Sequence, residues 1–281
     1  MTTNIIRITT LVENTTYSRG VLAEHGLAFW IETGSRRVLF DTGQGKVLLN
    51  NARELGVHLE LADAIVVSHG HYDHIGGLIS ALKAAGRPKI YAHPNAFVTK
   101  YSRSEGGSCR DAGMLFQDKE KIALLTDEPI WTKQPAEICH GLFVTGEIPR
   151  VTGFEDPSKS FFIDMHCQQP DLLTDDQAMF FESTQGTVVI LGCAHAGVIN
   201  TLKYIQHLTN GKPIQAVVGG MHLITASENR INRTIDALRQ FNVKQLGPAH
   251  CTGLSATVKL WSAFPEKCFC CTAGTSFEFE V

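Results

Sequence analysis

The sequence predicts an α/β protein, and three observations predict it. Four times an apolar strand pattern runs into a loop holding His and Gly: 64–67 before His69, 187–191 before His195, 215–218 before His222 and 243–246 before His250. Helical periodicity follows these loops, over 75–85, 197–208, 227–240 and 253–263. In α/β architectures such loops converge at the carboxyl ends of strands, where ligands bind. Finally, 281 residues with 43% apolar content can bury a sizeable core, read here as one domain over 1–281.

Taken in order, Ile5–Val12, Ala28–Thr33 and Arg37–Phe40 read as strands, the last two joined hairpin-fashion at Gly34-Ser35. Lys46–Leu55 has helical spacing and ends at Gly56. Strand 64–68 enters the first His loop, the helix after it stops at Gly86 and Pro88, and Lys89–Ala92 is the next strand. From 95 to about 134 the periodicity fails. Glycine- and serine-rich Tyr101–Gly113 reads as an irregular insertion, either a lid or plain surface. Cys268 and Cys270 straddle Phe269 in an expected terminal strand.

Composition removes several function classes. A formal charge of −3 with no basic, aromatic-interleaved tract argues against nucleic-acid partners. No apolar run reaches membrane-spanning length, and the alternating N-terminus lacks a signal-peptide core, so a cytoplasmic location is expected. The eight cysteines lack zinc-ribbon spacing, and most are expected to be reduced, buried small hydrophobes. Cys193 and Cys251 stand apart because each neighbours a His in a candidate metal loop.

The densest chemistry is in Ser68-His-Gly-His-Tyr-Asp-His-Ile-Gly-Gly77. Imidazole and carboxylate are ligands for borderline divalent metals. In extended chain, His69 and His71 project to one side and can grip one ion together. Asp73 and His74 follow as the chain turns toward a helix and can face a second ion. A solvated His-rich loop would not sit between the buried strand Ala64–Val67 and the apolar helix face that Ile75 begins.

The pattern His-x-His-x-Asp-His after an apolar strand resembles the metallo-β-lactamase superfamily. Phe40-Asp41-Thr42-Gly43 is similar to that family's first motif, whose Asp braces the metal loop by hydrogen bonding to a ligand His. Leu191-Gly-Cys-Ala-His-Ala-Gly-Val-Ile-Asn200, Gly219-Gly-Met-His222 and Pro248-Ala-His-Cys-Thr-Gly253 resemble a branch of metal-dependent hydrolases and dihydropterin-ribofuranosylaminobenzene-phosphate synthase-like proteins. The resemblance implies a four-layer αβ/βα sandwich.

On this basis His69, His71 and His195 are the expected ligands of one ion, and Asp73, His74 and His250 of another, leaving an open position for a shared water. The cofactor expectation is two divalent ions, zinc first, with manganese or iron as alternatives. Asp73 is expected both to ligate and to orient that water. His222 is the candidate proton donor or oxyanion partner, with a core histidine as the plain alternative. One departure matters: where many relatives carry a bridging Asp after Gly, this chain reads Gly192-Cys193. Either Cys193 bridges, or no protein group does, or His195 substitutes for that Asp. Thr145–Arg150 contains no His where other branches have a ligand, so Glu147 and Arg150 become candidate substrate contacts, Arg150 for phosphate or carboxylate. His93 is a candidate for the site mouth. His25, His58, His140, His166 and His207 have no comparable setting and are expected on the surface.

The expected activity is hydrolysis of a small anionic ester, lactone or phosphodiester. The alternatives are condensation of a pterin-like phosphate, di-iron redox or oxygen chemistry, and a non-enzymatic metal sensor. The expected partner is a small-molecule substrate; oligomeric state is not legible.

Overall fold

The structure is a computed structural model that describes residues 5–104, 106–114, 116–155 and 160–281. Its strands in chain order are β1 (Ile5–Val12), β2 (Ala28–Thr33), β3 (Arg36–Phe40), β4 (Ala64–Val66), β5 (Lys89–Ala92), β6 (Tyr101–Arg103), β7 (Cys109–Asp111) and β8 (Ile130–Trp131). They continue with β9 (Ala136–Cys139), β10 (Leu142–Val144), β11 (Phe161–Phe162), β12 (Ala178–Ser183), β13 (Gly186–Leu191), β14 (Ile214–Gly220), β15 (Gln245–Ala249) and β16 (Ser276–Glu280). The α-helices are α1 (Leu48–Glu54), α2 (Tyr72–Ile75), α3 (Leu78–Ala85), α4 (Phe116–Leu125), α5 (Val198–Leu208), α6 (Glu228–Gln240) and α7 (Leu254–Ala263).

Two sheets face each other, one ordered β16-β1-β2-β3-β4-β5-β8 and the other β15-β14-β13-β12-β10-β9. Their facing sides form one apolar layer, in which Ile8, Phe29, Ile31 and Val66 meet Met179, Phe181, Ile190 and Val218. A second layer packs Leu48, Leu78 and Leu82 onto the outer face of the first sheet. A third packs Ile199, Leu202, Ile235 and Leu260 onto that of the second. The result is the expected four-layer sandwich. Strands such as β13 and β14 are buried along their whole length because both faces are covered, which is why they read as continuous apolar runs rather than alternating ones.

Strands β3, β4, β5 and β8 run parallel, as do β13, β14 and β15. His69, His195, His222 and His250 follow the carboxyl ends of β4, β13, β14 and β15, so the topology brings four sequence-distant loops to one edge of the sandwich. The expected helix over 75–85 is divided into α2 and α3 at Gly76-Gly77. Helix α6 starts where Ser227 Oγ accepts the Arg230 amide at 3.3 Å.

Three expectations need correction. The segment 95–134 is not irregular throughout: it holds β6, β7, α4 and β8, and β6 lies between β7 and β11 in a third small sheet. Glu105 and Leu115 of that segment lie outside the described residues. Cys109 and Cys167, expected to be reduced, form a disulfide that ties β7 to the turn after β11. The terminal strand is β16, antiparallel to β1, whereas Cys268 makes only an isolated bridge to Leu246. Among the described residues no helix is long and apolar enough to cross a membrane.

Candidate metal centre

The first predicted trio converges. His195 Nε2 lies 3.2 Å from His69 Nε2 and 3.1 Å from His71 Nδ1, and all three residues are buried. Burial, followed by neighbouring imidazoles for His69 and His195, holds these histidines well below their usual pKa. His71 is also held well below, by burial, although the Asp73 charge opposes it. Neutral imidazole is the ligand form. Neutral ring nitrogens this close point lone pairs at one another unless a proton or cation lies among them. His71 Nε2 and His195 Nδ1, on the far sides of their rings, have no hydrogen-bond partner among the described residues. The donor set therefore fits a divalent ion.

The second predicted trio meets through His250. Its Nε2 lies 3.2 Å from His74 Nε2 and 3.3 Å from Asp73 Oδ2. Burial opposes ionisation of Asp73, yet hydrogen bonds from His25 and His250 outweigh it and hold the carboxyl well below its usual range. Cys193 Sγ lies 3.1 Å from His74 Nε2 and within 4.8 Å of donor atoms on both sides of the centre. That is the place a bridging group would occupy, whereas His195 belongs to the first trio.

Hydrogen bonds aim the ligand atoms. Asp41 accepts the Ser68 amide at 2.7 Å, the Ser68 hydroxyl at 2.6 Å and His74 Nδ1–H at 2.7 Å, which turns His74 Nε2 inward. With its hydroxyl proton committed to Asp41, Ser68 Oγ accepts from His69 Nδ1 at 2.9 Å, leaving His69 Nε2 for the centre. Burial opposes protonation of His74, but Asp41 prevails and raises it to about 9, so an ion binding there displaces the Nε2 proton. His250 Nδ1 donates to Asn14 Oδ1 at 2.9 Å, and the His250 amide donates to Glu13 at 2.8 Å. Close approach sets Gly192, where a Cβ would stand 2.2 Å from Ser68 Oγ. Asp41, Ala194, His222 and His250 all adopt left-handed backbone, at φ 61°, 53°, 45° and 50°. At roughly 1–2 kcal/mol each, such strain concentrates where loops must present side chains at fixed angles. Asp41→Asn is expected to weaken ion binding about 10–100-fold with the fold retained, because the amide accepts at only one of the two oxygen positions and sets an NH2 against a donor at the other. Competition against a chromophoric chelator measures it.

The other predicted residues are placed as follows. The His222 ring stands 4.2 Å from that of His195, its amide donates to Cys251 Sγ at 3.2 Å, and its buried Nδ1 has no hydrogen-bond partner among the described residues. Burial raises the Cys193 thiol well above its usual value, whereas hydrogen bonds from Cys193 and His222 overcome burial at Cys251 and lower it. Glu147 pairs with buried His93 at 2.9 Å. Arg150 spends two donors on backbone carbonyls, His195 O at 2.8 Å and Leu172 O at 3.0 Å. Both line a cavity of about 290 Å³ with Leu172, Thr174 and Asp176. Burial raises Asp176 to about 6. A larger cavity, about 1130 Å³, opens among Arg36, Tyr91 and Cys139 and contains none of the predicted ligands.

Three features escaped the sequence reading. His25, expected as a plain surface residue, lies 3.1 Å from Asp73 Oδ2 through Nε2. Phe161 in β11 covers the His71 ring at 4.3 Å and the His195 ring at 5.3 Å. Buried Lys100 donates to Asp171 at 2.7 Å and to Asp175 at 2.9 Å, and Asp175 in turn accepts the Gly70 amide inside the metal loop. A signal existed only for His25, in the adjoining Glu24-His25-Gly26. A lone Phe and a lone Lys carry none.

Comparison with known proteins agrees with this architecture. Residues 22–157 match the family model of the metallo-β-lactamase superfamily. The chain is 31% identical over 273 residues to 7,8-dihydropterin-6-methyl-4-(β-D-ribofuranosyl)-aminobenzene-5′-phosphate synthase of Methanocaldococcus jannaschii, covering 93% of this chain and 92% of the relative. It is 33% identical over 251 residues to an uncharacterised protein of the same organism, covering 89% and 92%. Among solved structures, Tm1679, described as a metal-dependent hydrolase of the β-lactamase superfamily, superposes with a TM-score of 0.83 at 32% identity, covering 98% of this chain and 100% of that one. The chain belongs to the metallo-β-lactamase superfamily.

Proposed function

We infer that this chain is a metal-dependent hydrolase holding two divalent ions, zinc first and manganese or iron as alternatives, and acting on a small anionic ester, lactone or phosphodiester. The observation that carries the reading is the run of close donor pairs from His71 through His195 and His69 to His74, Cys193, His250 and Asp73. That is too many donors for one tetrahedral ion. When bound, the ions supply Lewis-acid polarisation and a lowered water pKa.

The chain's own groups do the rest. Asp41, Ser68 and Asn14 keep the lone pairs of His74, His69 and His250 turned inward. Phe161 shields His71 and His195 from bulk water on one side. The Asp73 carboxylate, held ionised, orients the attacking water. The unpartnered His222 Nδ1 is the atom this reading assigns to hold a proton for the leaving group. Arg150 and Glu147 border the adjacent cavity, where an anionic substituent meets whichever guanidinium donors the backbone carbonyls leave unused.

A second reading, condensation of a dihydropterin with a phosphorylated partner, is favoured by the synthase relative, which covers nearly the whole chain. Elemental analysis of protein purified without chelator or metal-affinity resin, followed by assay, separates the readings. Two zinc or manganese ions with turnover of p-nitrophenyl esters or phosphodiesters support hydrolysis. Condensation without such turnover supports the second reading. Two irons point to redox chemistry, and no ion even after reconstitution removes both.

A further inference from the structure

We propose that His25 is a ligand of the second divalent ion, sharing it with Asp73 and His250. The proposal rests on the two-ion reading above and changes which side chains complete that site. The donor atoms of His25, Asp73 and His250 all lie within 4.8 Å of one another. His25 Nε2 is 3.1 Å and His250 Nε2 3.3 Å from the same Asp73 oxygen, and the two imidazole rings are 4.8 Å apart. His74, the expected third member, stands between the two halves: its Nε2 is 3.2 Å from His250 Nε2 but also 3.1 Å from Cys193 Sγ, and its ring is 4.2 Å from that of His69.

The backbone around His25 is held as a ligand's would be, although the side chain is 49% exposed. On one side the Glu24 carboxylate accepts the amides of Gln44 at 3.0 Å, Gly45 at 3.2 Å and Lys46 at 3.2 Å. On the other, the Gly26 amide donates to Asn14 Oδ1 at 3.2 Å, the oxygen that also fixes His250. The Leu27 amide donates to Asp73 O at 3.2 Å. A Cβ on Gly26 would come within 2.7 Å of that same carbonyl. Hence the His25 loop, the metal loop and the His250 loop are fastened together through Asn14 and Asp73. An ordinary solvated histidine needs none of this.

Two imidazole nitrogens and a carboxylate oxygen suit zinc, manganese or iron. His25 is the exposed member of the set, with Asp73 and His250 buried. The competing role for His25 is to donate Nε2–H to Asp73 and orient it, touching no ion. A substitution that keeps a donor but supplies a poor ligand separates the two.

The test uses the full chain stripped of metal, titrated with Zn²⁺ against a chromophoric chelator, as parent, His25→Ala and His25→Gln. The expected result is two ions on the parent, an unchanged first affinity in both variants, and a second affinity lowered more than about 100-fold in both, beyond what an orienting partner costs. Thermal unfolding of the stripped proteins is expected to coincide, since the ring is half-exposed. Two ions bound by His25→Ala with parental affinity overturn the proposal. So does parental second-site affinity in His25→Gln, which makes His25 an orienting donor. A parent that takes up fewer than two ions overturns the two-ion reading itself, an outcome distinct from both.

Discussion

His71→Ala is expected to reduce turnover to background and to lower ion content, while the protein still folds. His71 Nδ1 is one of three nitrogens at 3.1–3.2 Å spacing in the first trio, and it sits at the centre of the most specific motif in the chain. Removing an orienting partner of a metal ligand costs about 10–100-fold in affinity or activity, so removing a ligand costs at least about 100-fold. The fold survives because the imidazole makes no hydrogen bond to the sheets: among the described residues its Nε2 has no partner, and its Nδ1 faces the other donors. Elemental analysis, circular dichroism and a turnover assay on the same preparation check this. Parental metal content and rate would remove His71 from the centre.

Lys100→Met is expected to cost about 3–5 kcal/mol of stability, as for any buried ion pair broken from one side. Lys100 is fully buried and neutralises Asp171 and Asp175, two carboxylates that are themselves almost inaccessible. Burial opposes its charge, but the two carboxylates outweigh burial and raise its pKa. Methionine fills most of the volume and leaves both acids uncompensated, so Asp175 protonates or shifts. Since Asp175 also receives the Gly70 amide between His69 and His71, ion affinity is expected to fall with stability. For a domain of this size, roughly 2–4 °C per kcal/mol puts the drop in Tm near 6–20 °C by calorimetry. A triple replacement with Asp171→Asn and Asp175→Asn is expected to recover part of the loss, because it removes the stranded charges. A Lys100→Met melting curve within about 2 °C of the parent would show that the charges are not stranded.

Much of the fold was legible because its elements carry local signals. The hairpin at Gly34-Ser35, the helix stopped by Gly86 and Pro88 and the all-apolar parallel strands are set by residues close in sequence. The third sheet was not legible, because β6, β7 and β11 are two or three residues each, and β11 pairs with β6 from about 60 positions away. The Cys109–Cys167 disulfide went unseen for the same reason, since spacing of 58 residues says nothing about proximity. His25 shows the limit most clearly. It was assigned to the surface because it follows no apolar strand, and half its side chain is indeed exposed, but the loop folds back so that its Nε2 reaches Asp73.

By itself the sequence determined the class of fold and the candidate ligand set: His69, His71, Asp73 and His74 within one loop, and a His after each of three later strands. These follow from backbone periodicity and residue type, which are local properties. Only the tertiary structure decided the grouping. It assigned His195 to the first trio, set Cys193 between the two halves, brought His25 to Asp73 and closed Phe161 over His71. Those outcomes depend on loop lengths, sheet order and a few ångströms of close approach between segments far apart in the sequence. Hydrogen-bond and ligand distances are satisfied in three dimensions, and no one-dimensional pattern encodes them.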